Sequence, residues 1–377
     1  VEVIFWISLI LVAYTLIGYP VIANLLAIVA RRDVQKQYIE PRISFIIAAY
    51  NEETSIAEKL EQTLALDYPP DQLEIIVADD GSSDRTPEIV RSFGDRGVIH
   101  FRSDHRAGKT DCLNRAAAIA TGEILVFSDA TGVFDARSLR ELASHFADPD
   151  VGCVSGRVAY RYGKDLTSGG FRVYQRVVVG VRRAEGAFGS VTSVSGAIHA
   201  VRASVFRPTD PTYTQDLADA IHTVVQGKRV SYEYDAIAWE DSRASLRSEF
   251  ESRIRICVRE HTMLAFIIGS LVRARRWMYL FQMFSHKFLR WWLWAPLVML
   301  LVSSLALAGT STLHAVAAAL QIAFYLGGIA AIWFERAGRR IPGTSPLAFF
   351  VAGNAAMCIG LFRWLRKGAM PTWNPIR

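Results

Sequence analysis

The sequence predicts an α/β domain: a mostly parallel sheet with helices on both faces, held to a bilayer by apolar helices at either end. Three observations carry this expectation. Between about 41 and 260, short apolar runs alternate with amphipathic ones, the pattern of successive βα units. Residues 3–30 carry no charge, and long apolar runs return after residue 290. Of 377 residues, 51% are apolar and 21% charged, with mean hydropathy +0.20, too polar for a wholly lipid-embedded chain and too apolar for an ordinary soluble one.

Taken in order, 3–30 (VIFWISLILVAYTLIGYPVIANLLAIVA) is long enough, at about 1.5 Å per residue, to cross a bilayer with tilt. It lacks a small-residue cleavage site and reads as an uncleaved anchor. Arg31, Arg32 and Lys36 follow, which places the next segment in the cytoplasm of a multi-pass cell-membrane protein. The strand candidates are ISFIIAA (43–49), LEIIVAD (73–79), VIHF (98–101) and EILVFSD (123–129). Between them come an amphipathic helix on Ile56, Leu60 and Leu64 and a helix opened by Thr86 as N-cap and Pro87. KTDCLNRAAAIA (109–120) and SLRELASHF (138–146) are the next two helices. The expected organisation is an anchor at 1–30, a catalytic-type domain at 31–260, amphipathic interface helices at 261–287 and a membrane region with a basic tail at 288–377.

Residues 291–309 and 313–334 read as clean spanning runs, and 346–362 as a short third one with Asn354 near its middle. Three crossings would leave Arg363, Arg366, Lys367 and Arg377 outside, against the positive-inside bias. The last run is therefore re-entrant or interfacial, or an earlier segment crosses. The net charge of +6 is concentrated at Arg31-Arg32, Arg273–Arg276, Arg339-Arg340 and Arg363–Lys367, each beside an apolar run. That placement suits a membrane surface, and no nucleic-acid recognition motif accompanies it. The four cysteines (Cys112, Cys153, Cys257, Cys358) lie too far apart in sequence for a CxxC pair and are read as reduced.

Ligands of open α/β sheets sit beyond the carboxyl ends of strands. Two candidate strands end in acid, at Asp79-Asp80 and at Asp129. Such carboxylates can hold nucleoside hydrogen-bond donors, or a hard divalent cation that in turn holds phosphates. A single acid there is usually only a turn residue; two in one series of units point to a site. There is no GxG fingerprint, HExxH or GxSxG, and Gly108-Lys109-Thr110 fails as a P-loop because Ser103 stands where glycine is needed.

ISFIIAAYNE (43–52), ADDGSSD (78–84), AGKTDCLN (107–114) and FSDAT (127–131) resemble, in order, the nucleotide-binding half of family 2 glycosyltransferases of the GT-A fold. SGAIHAVR (195–202), TQDL (214–217) and AWED (238–241) resemble the acceptor half, and the flanking spans suit that family's membrane-bound polysaccharide synthases. The resemblance implies that Ala49, Tyr50, Asn51, Glu52 and Asp80 hold uridine, with Lys109 near the diphosphate. It implies that Asp129 binds Mg²⁺ or Mn²⁺, with Thr131 where a second acid is usual. It makes Asp216 the catalytic base and Gly196, Ala197, His199 and Gln215 acceptor residues. Alternatives stay open: Asp216 as a helix cap, Lys109 as a solvated helix-start charge, His199 as plain packing. The family's Gln-x-x-Arg-Trp element is represented by Ser252–Ile256, which keeps Arg255 for the diphosphate and loses the aromatic platform; Trp373 is the alternative ring.

The expected activity is inverting, metal-dependent transfer from a UDP-sugar to a glycan acceptor, building a β-linked extracellular polysaccharide. A lipid or lipid-linked acceptor and an inactive nucleotide-binding subunit are the alternatives. Membrane lipids are expected partners, and oligomerisation is left open.

Overall fold

A computed structural model describes every residue except 162–165, 242–245, 338, 340, 342 and 370–377. Arg340, Trp373 and Arg377 thus lie outside the described residues. One eight-stranded sheet organises the domain, in the order β3-β2-β1-β4-β7-β6-β8-β5. The strands are β1 (Ile43–Ala49), β2 (Leu73–Asp79), β3 (Val98–Arg102), β4 (Ile124–Asp129), β5 (Val133–Phe134), β6 (Val151–Arg161), β7 (His199–Arg202) and β8 (Arg229–Asp241).

The first half is parallel, as the βα alternation requires, with β1 between β2 and β4. Its register sets Ala49 opposite Asp79 and Ala48 opposite Asp129, so the acidic ends of β2 and β4 flank the end of β1. The second half is mixed: β7 runs antiparallel to β4 and β6, β6 and β8 pair in parallel, and β5 is antiparallel to β8. Alternate residues of β1 feed opposite cores. Phe45 and Ile47 pack with Ile56, Leu60, Val90 and Leu139 on one face. Ile46 packs with Leu113, Ile221 and Val224 on the other.

The helices follow the sequence reading closely: Ile56–Leu64, Thr86–Arg91, Lys109–Ile119, Ser138–Ser144 and Gln215–Val225. At the second of these, Thr86 is the first helical residue rather than the cap. Asp84 accepts the Thr86 amide at 3.0 Å, while the Thr86 hydroxyl is taken by the Glu52 amide at 2.7 Å. Leu264–Arg273 and Trp277–Trp291, in the stretch expected to lie along a membrane interface, turn apolar residues onto the domain itself. Met263, Ile267, Leu271, Met283 and Phe288 share a buried cluster with Ile221.

Among the described residues, three helices are long and apolar enough to cross a membrane: Glu2–Val29, Thr312–Glu335 and Ser345–Lys367. The third spans 23 residues, longer than the short run read from sequence, because the polar ends Ser345 and Arg363–Lys367 are helical too. The run expected at 291–309 is broken. Trp277–Trp291 and Trp294–Leu307 meet at 60° and would together count as a fourth span. Pro296 explains the restart: it cannot donate to the carbonyl four residues back and is tolerated in a first turn. Glu2–Val29 and Trp277–Trp291 each contain a π turn, at Tyr14–Gly18 and Phe284–Phe288. The two turns touch where the Tyr14 hydroxyl meets Ser285 Oγ at 2.8 Å.

Candidate active site

The end of β1 and the loop after β2 are tied to each other by the residues the motifs single out. Asn51 adopts a left-handed φ of +54°, which its short polar side chain tolerates. Its amide donates to Ser82 Oγ at 2.9 Å, and its Oδ1 accepts the Ser83 amide at 2.8 Å. Asp79 is fully buried and accepts the Ser82 amide at 2.8 Å and a bond from His100 at 3.2 Å. Burial works against its charge, but these bonds outweigh it and hold the carboxyl below its ordinary range.

Asp80 takes the next position and faces the cleft. Its carboxylate accepts the Ala107 amide at 2.9 Å and the Gly108 amide at 3.0 Å, fixing the 105–108 loop. Burial raises this carboxyl despite those bonds. The same loop sets the Arg106 guanidinium 4.1 Å from the centre of the Tyr50 ring. Gly108 then hands the chain to the helix that starts at Lys109, whose ammonium pairs with Asp129 at the end of β4.

Behind Asp129 lies a residue the motifs did not flag. Lys59, on the buried face of Ile56–Leu64, is 3% exposed and donates to Ser128 Oγ at 2.8 Å and to the Gly132 carbonyl. Its ammonium lies 4.5 Å from the Phe134 ring centre, and burial lowers its pKa to about 7. The signal in the sequence was a lysine at helical spacing with Ile56 and Leu60, on an otherwise apolar stripe.

The acceptor-side motifs arrive from the antiparallel half. Asp216 stands in the first turn of Gln215–Val225, after the N-cap Thr214, and its carbonyl accepts the Val194 amide at 3.2 Å. Gly196 faces Lys109 so closely that a Cβ there would lie 3.9 Å from Nζ, which joins the two halves. Gln215 is 6% exposed, and neither of its amide atoms has a partner among the described residues. His199 is 1% exposed, stacked on Phe127, with one ring nitrogen 2.8 Å from the Ser195 carbonyl and the other 3.1 Å from Asp219. Of its two open readings, this placement favours packing, because neither nitrogen is left to meet an acceptor. Arg255 leans on Ser252 at 3.0 Å, and an aliphatic side chain, Ile256, follows it.

One cleft of about 1350 Å³ is lined by Ala49, Tyr50, Glu52, Asp80, Lys109, Asp129, Thr131, Gly196, Ala197, His199, Gln215, Asp216 and Arg255. Asn51 stands behind it as a brace. No group of three or more acid, His or Cys side chains gathers as a ready-made metal cage among the described residues. Asp129 offers one half-exposed carboxylate, with the Thr131 hydroxyl two residues on. That set fits a Mg²⁺- or Mn²⁺-sized ion completed by substrate phosphates and water, the usual habit of such ions.

Residues 44–208 match the sequence profile of Glycosyl transferase family 2. Over 267 residues the chain is 26% identical to poly-β-1,6-N-acetyl-D-glucosamine synthase of Staphylococcus aureus (strain COL), covering 68% of this chain and 64% of that protein. It is also 26% identical, over 243 residues, to the synthase of the same name from Staphylococcus epidermidis, covering 62% and 58%. The chain thus matches less than two thirds of the length of these relatives. In solved structures it shares its fold with the mannosyltransferase PcManGT of Pyrobaculum calidifontis, captured with GDP-Man and Mn²⁺. That superposition has a TM-score of 0.71 at 23% identity and covers 96% of this chain and 99% of the other. The motifs and the profile agree over residues 44–208, which are similar to Glycosyl transferase family 2, and the sheet has the fold of that mannosyltransferase structure.

Proposed function

We propose that this protein transfers a sugar from a nucleoside-diphosphate sugar, a UDP-sugar in our reading, to an acceptor hydroxyl at the membrane surface, with inversion. The product is a β-linked extracellular polysaccharide. The observation that carries the proposal is the convergence of Asp80, Asp129 and Asp216, far apart in the chain, on one cleft beside Lys109.

Each residue has a task the chemistry requires. Asp80, Tyr50 and the 105–108 loop hold the nucleoside end. Lys109 and Arg255 offset the diphosphate's charge, and Lys109 leaves Asp129 to do so. Asp129, with Thr131, would hold Mg²⁺ or Mn²⁺, which supplies Lewis-acid stabilisation of leaving-group charge when bound. Asp216 accepts the proton of the attacking hydroxyl. A positioned base contributes about 10²–10⁴-fold, roughly 3–5 kcal/mol of barrier. Arg31, Arg32 and Lys36 after the first apolar helix support a cytoplasmic catalytic domain in a multi-pass cell-membrane protein.

A second reading of the acceptor has its own support. The cleft runs on past Asp216 to Leu16 of the first helix and to Phe349 and Met357 of Ser345–Lys367, within reach of a lipid-linked acceptor. The aromatic platform used to grip a long glycan is missing at Ile256.

The test is Asp216→Asn in the purified chain with Mn²⁺ and a panel of UDP- and GDP-sugars. Transfer is expected to fall at least about 10²-fold, by the contribution of a general base, while nucleotide binding stays within a factor of about two of wild type, since no nucleotide contact is removed. An Asp216→Asn enzyme that transfers normally would remove the proposed base. Size analysis of labelled product separates a polymer from a single lipid-soluble species.

A further inference from the structure

Beyond Asp216 the cleft passes between Leu166–Phe188, Leu246–Thr262, Trp277–Trp291 and Ser345–Lys367, and its lining changes from acids to cations against aromatic rings. The Arg253 guanidinium lies 4.8 Å from the ring centre of Tyr174 and 4.5 Å from that of Phe349. Arg290 approaches the same tyrosine at 5.1 Å. Lys287, one helical turn before Arg290, lines the same wall.

The negative charge nearby is smaller than the positive. Arg253 donates to Glu249 at 2.8 Å, and Lys287 stands 3.7 Å from Glu260. Burial pushes the Glu260 carboxyl up to about 7, so it is only partly ionised at neutral pH. Arg290 leans on a ring, with no carboxylate in salt-bridge range among the described residues. The phenol of Tyr174 registers the resulting potential. Burial alone would raise it, yet Arg290, Arg253 and Lys287 bring it down to about 8.

This basic end is distinct from the nucleotide end. Arg253 and Arg255 lie two residues apart and so face different sides of their helix. Arg255 turns to Ser252, whereas Arg253 presses on Ser345–Lys367, where a Cβ added at Gly353 would lie 3.4 Å from its Nη1. That partner is one of the helices able to cross a membrane, and its Phe350 and Met357 continue the wall in apolar form. Guanidinium groups suit phosphate oxygens, and the adjoining apolar wall suits a hydrocarbon tail.

We propose that Arg253, Lys287 and Arg290, with Tyr174, bind the phosphate of a lipid-linked acceptor whose tail leaves along Ser345–Lys367 and whose hydroxyl is presented to Asp216. This deepens the lipid-acceptor reading of the same cleft and rests on it.

The experiment uses the full chain in nanodiscs of neutral lipid. Labelled polyprenyl phosphate is the probe, with polyprenol, phosphatidylglycerol and inorganic phosphate as competitors. Donor hydrolysis is followed in parallel. Wild type is expected to bind polyprenyl phosphate at least about tenfold more tightly than any competitor, and the double change Lys287→Gln, Arg290→Gln to weaken it by about tenfold or more, as loss of charge-assisted contacts implies. Arg290→Lys retains most of the binding, and hydrolysis of the donor is unchanged in all three. Should the double variant not fold, the single change at the partly exposed Arg290 reads the same loss. Unchanged binding in the glutamine variants overturns the site. Equal competition by phosphatidylglycerol reduces it to a general headgroup contact, and equal competition by inorganic phosphate removes the lipid; either result also overturns it. A wild-type chain that hydrolyses no donor defeats the transferase reading instead, and leaves the binding comparison intact.

Discussion

At the scale of single residues, Lys59 stands behind the wall of the cleft rather than in it. Its ammonium is buried behind the Ser128–Gly132 turn and holds both ends of the segment that carries Asp129 and Thr131. In the proposed cation site Thr131 offers only a hydroxyl beside Asp129, a weaker ligand for a hard cation than a carboxylate, so the placement of Asp129 counts for more. Lys59→Met keeps the apolar stem and removes both bonds. Supporting residues behind metal ligands typically change metal affinity by about 10–100-fold, and the expected result is a rise of that order in the Mn²⁺ concentration needed for half-maximal transfer. Activity titrated with Mn²⁺ reads it, and an unchanged midpoint would reduce Lys59 to a buried packing residue. Asp80 and Asp129 were legible because each closes or directly follows a short apolar strand run. The motifs passed over Lys59 because its role comes from burial, which the sequence encodes only as a charge on an apolar helical stripe.

Among the elements, the loop after β2 is the most constrained. Gly81 has φ +73°, and a Cβ there would meet the backbone of Arg106 and His105 at 3.2 Å. That close approach sets the Ala107 and Gly108 amides on Asp80. Gly81→Ala costs about 1–2 kcal/mol for the left-handed backbone alone and forces the loop away from Asp80. The expected outcome is a lower Tm together with a raised KM for donor and a smaller change in kcat. A variant with wild-type KM would show that the loop's position does not govern nucleotide binding. The parallel strands β1, β2, β3 and β4 were legible because each is a short apolar run followed by an amphipathic helix. Strands β6 and β8 were not. Gly152 and Gly156 interrupt β6, and its pairing with β8 slips at Val151/Cys153 and Ser155/Arg157, so no clean alternation survives. The glycines are needed there, since a Cβ at Gly156 would lie 2.7 Å from Ile198. The break between Trp291 and Trp294 was hidden for a related reason: no charged residue falls within 291–309, and only Pro296 marks it.

Across the whole molecule, apolar helices and domain form one packed body around a buried polar knot. Tyr19 of the first helix donates to Glu185 at 2.6 Å, and His286 of Trp277–Trp291 meets the same carboxylate at 2.9 Å. The amide and hydroxyl of Thr192, three residues before Ser195, both donate to its other oxygen at 3.2 Å. The knot therefore joins the first apolar helix, Trp277–Trp291 and the segment that leads into the cleft-lining residues 195–197. Hydropathy identified the helices able to cross a membrane; it could not reveal this coupling, whose members lie up to 267 residues apart between Tyr19 and His286. The connector after the first helix is held independently: the Arg32 amide donates to the Ala187 carbonyl at 2.8 Å, and Arg229 donates to the Arg32 carbonyl at 2.9 Å. A protease cut in the exposed stretch after Lys36 should then leave the first helix attached in wild type, with both fragments eluting together in mild detergent. Glu185→Ala leaves His286 and Tyr19 buried without their shared acceptor, a loss of about 1–3 kcal/mol for each buried group left unpaired. The cut variant is expected to release its first helix and to transfer sugar more slowly than the cut wild type. Co-elution of both fragments in the cut Glu185→Ala protein, with activity equal to cut wild type, would mean that apolar packing alone couples the span to the site.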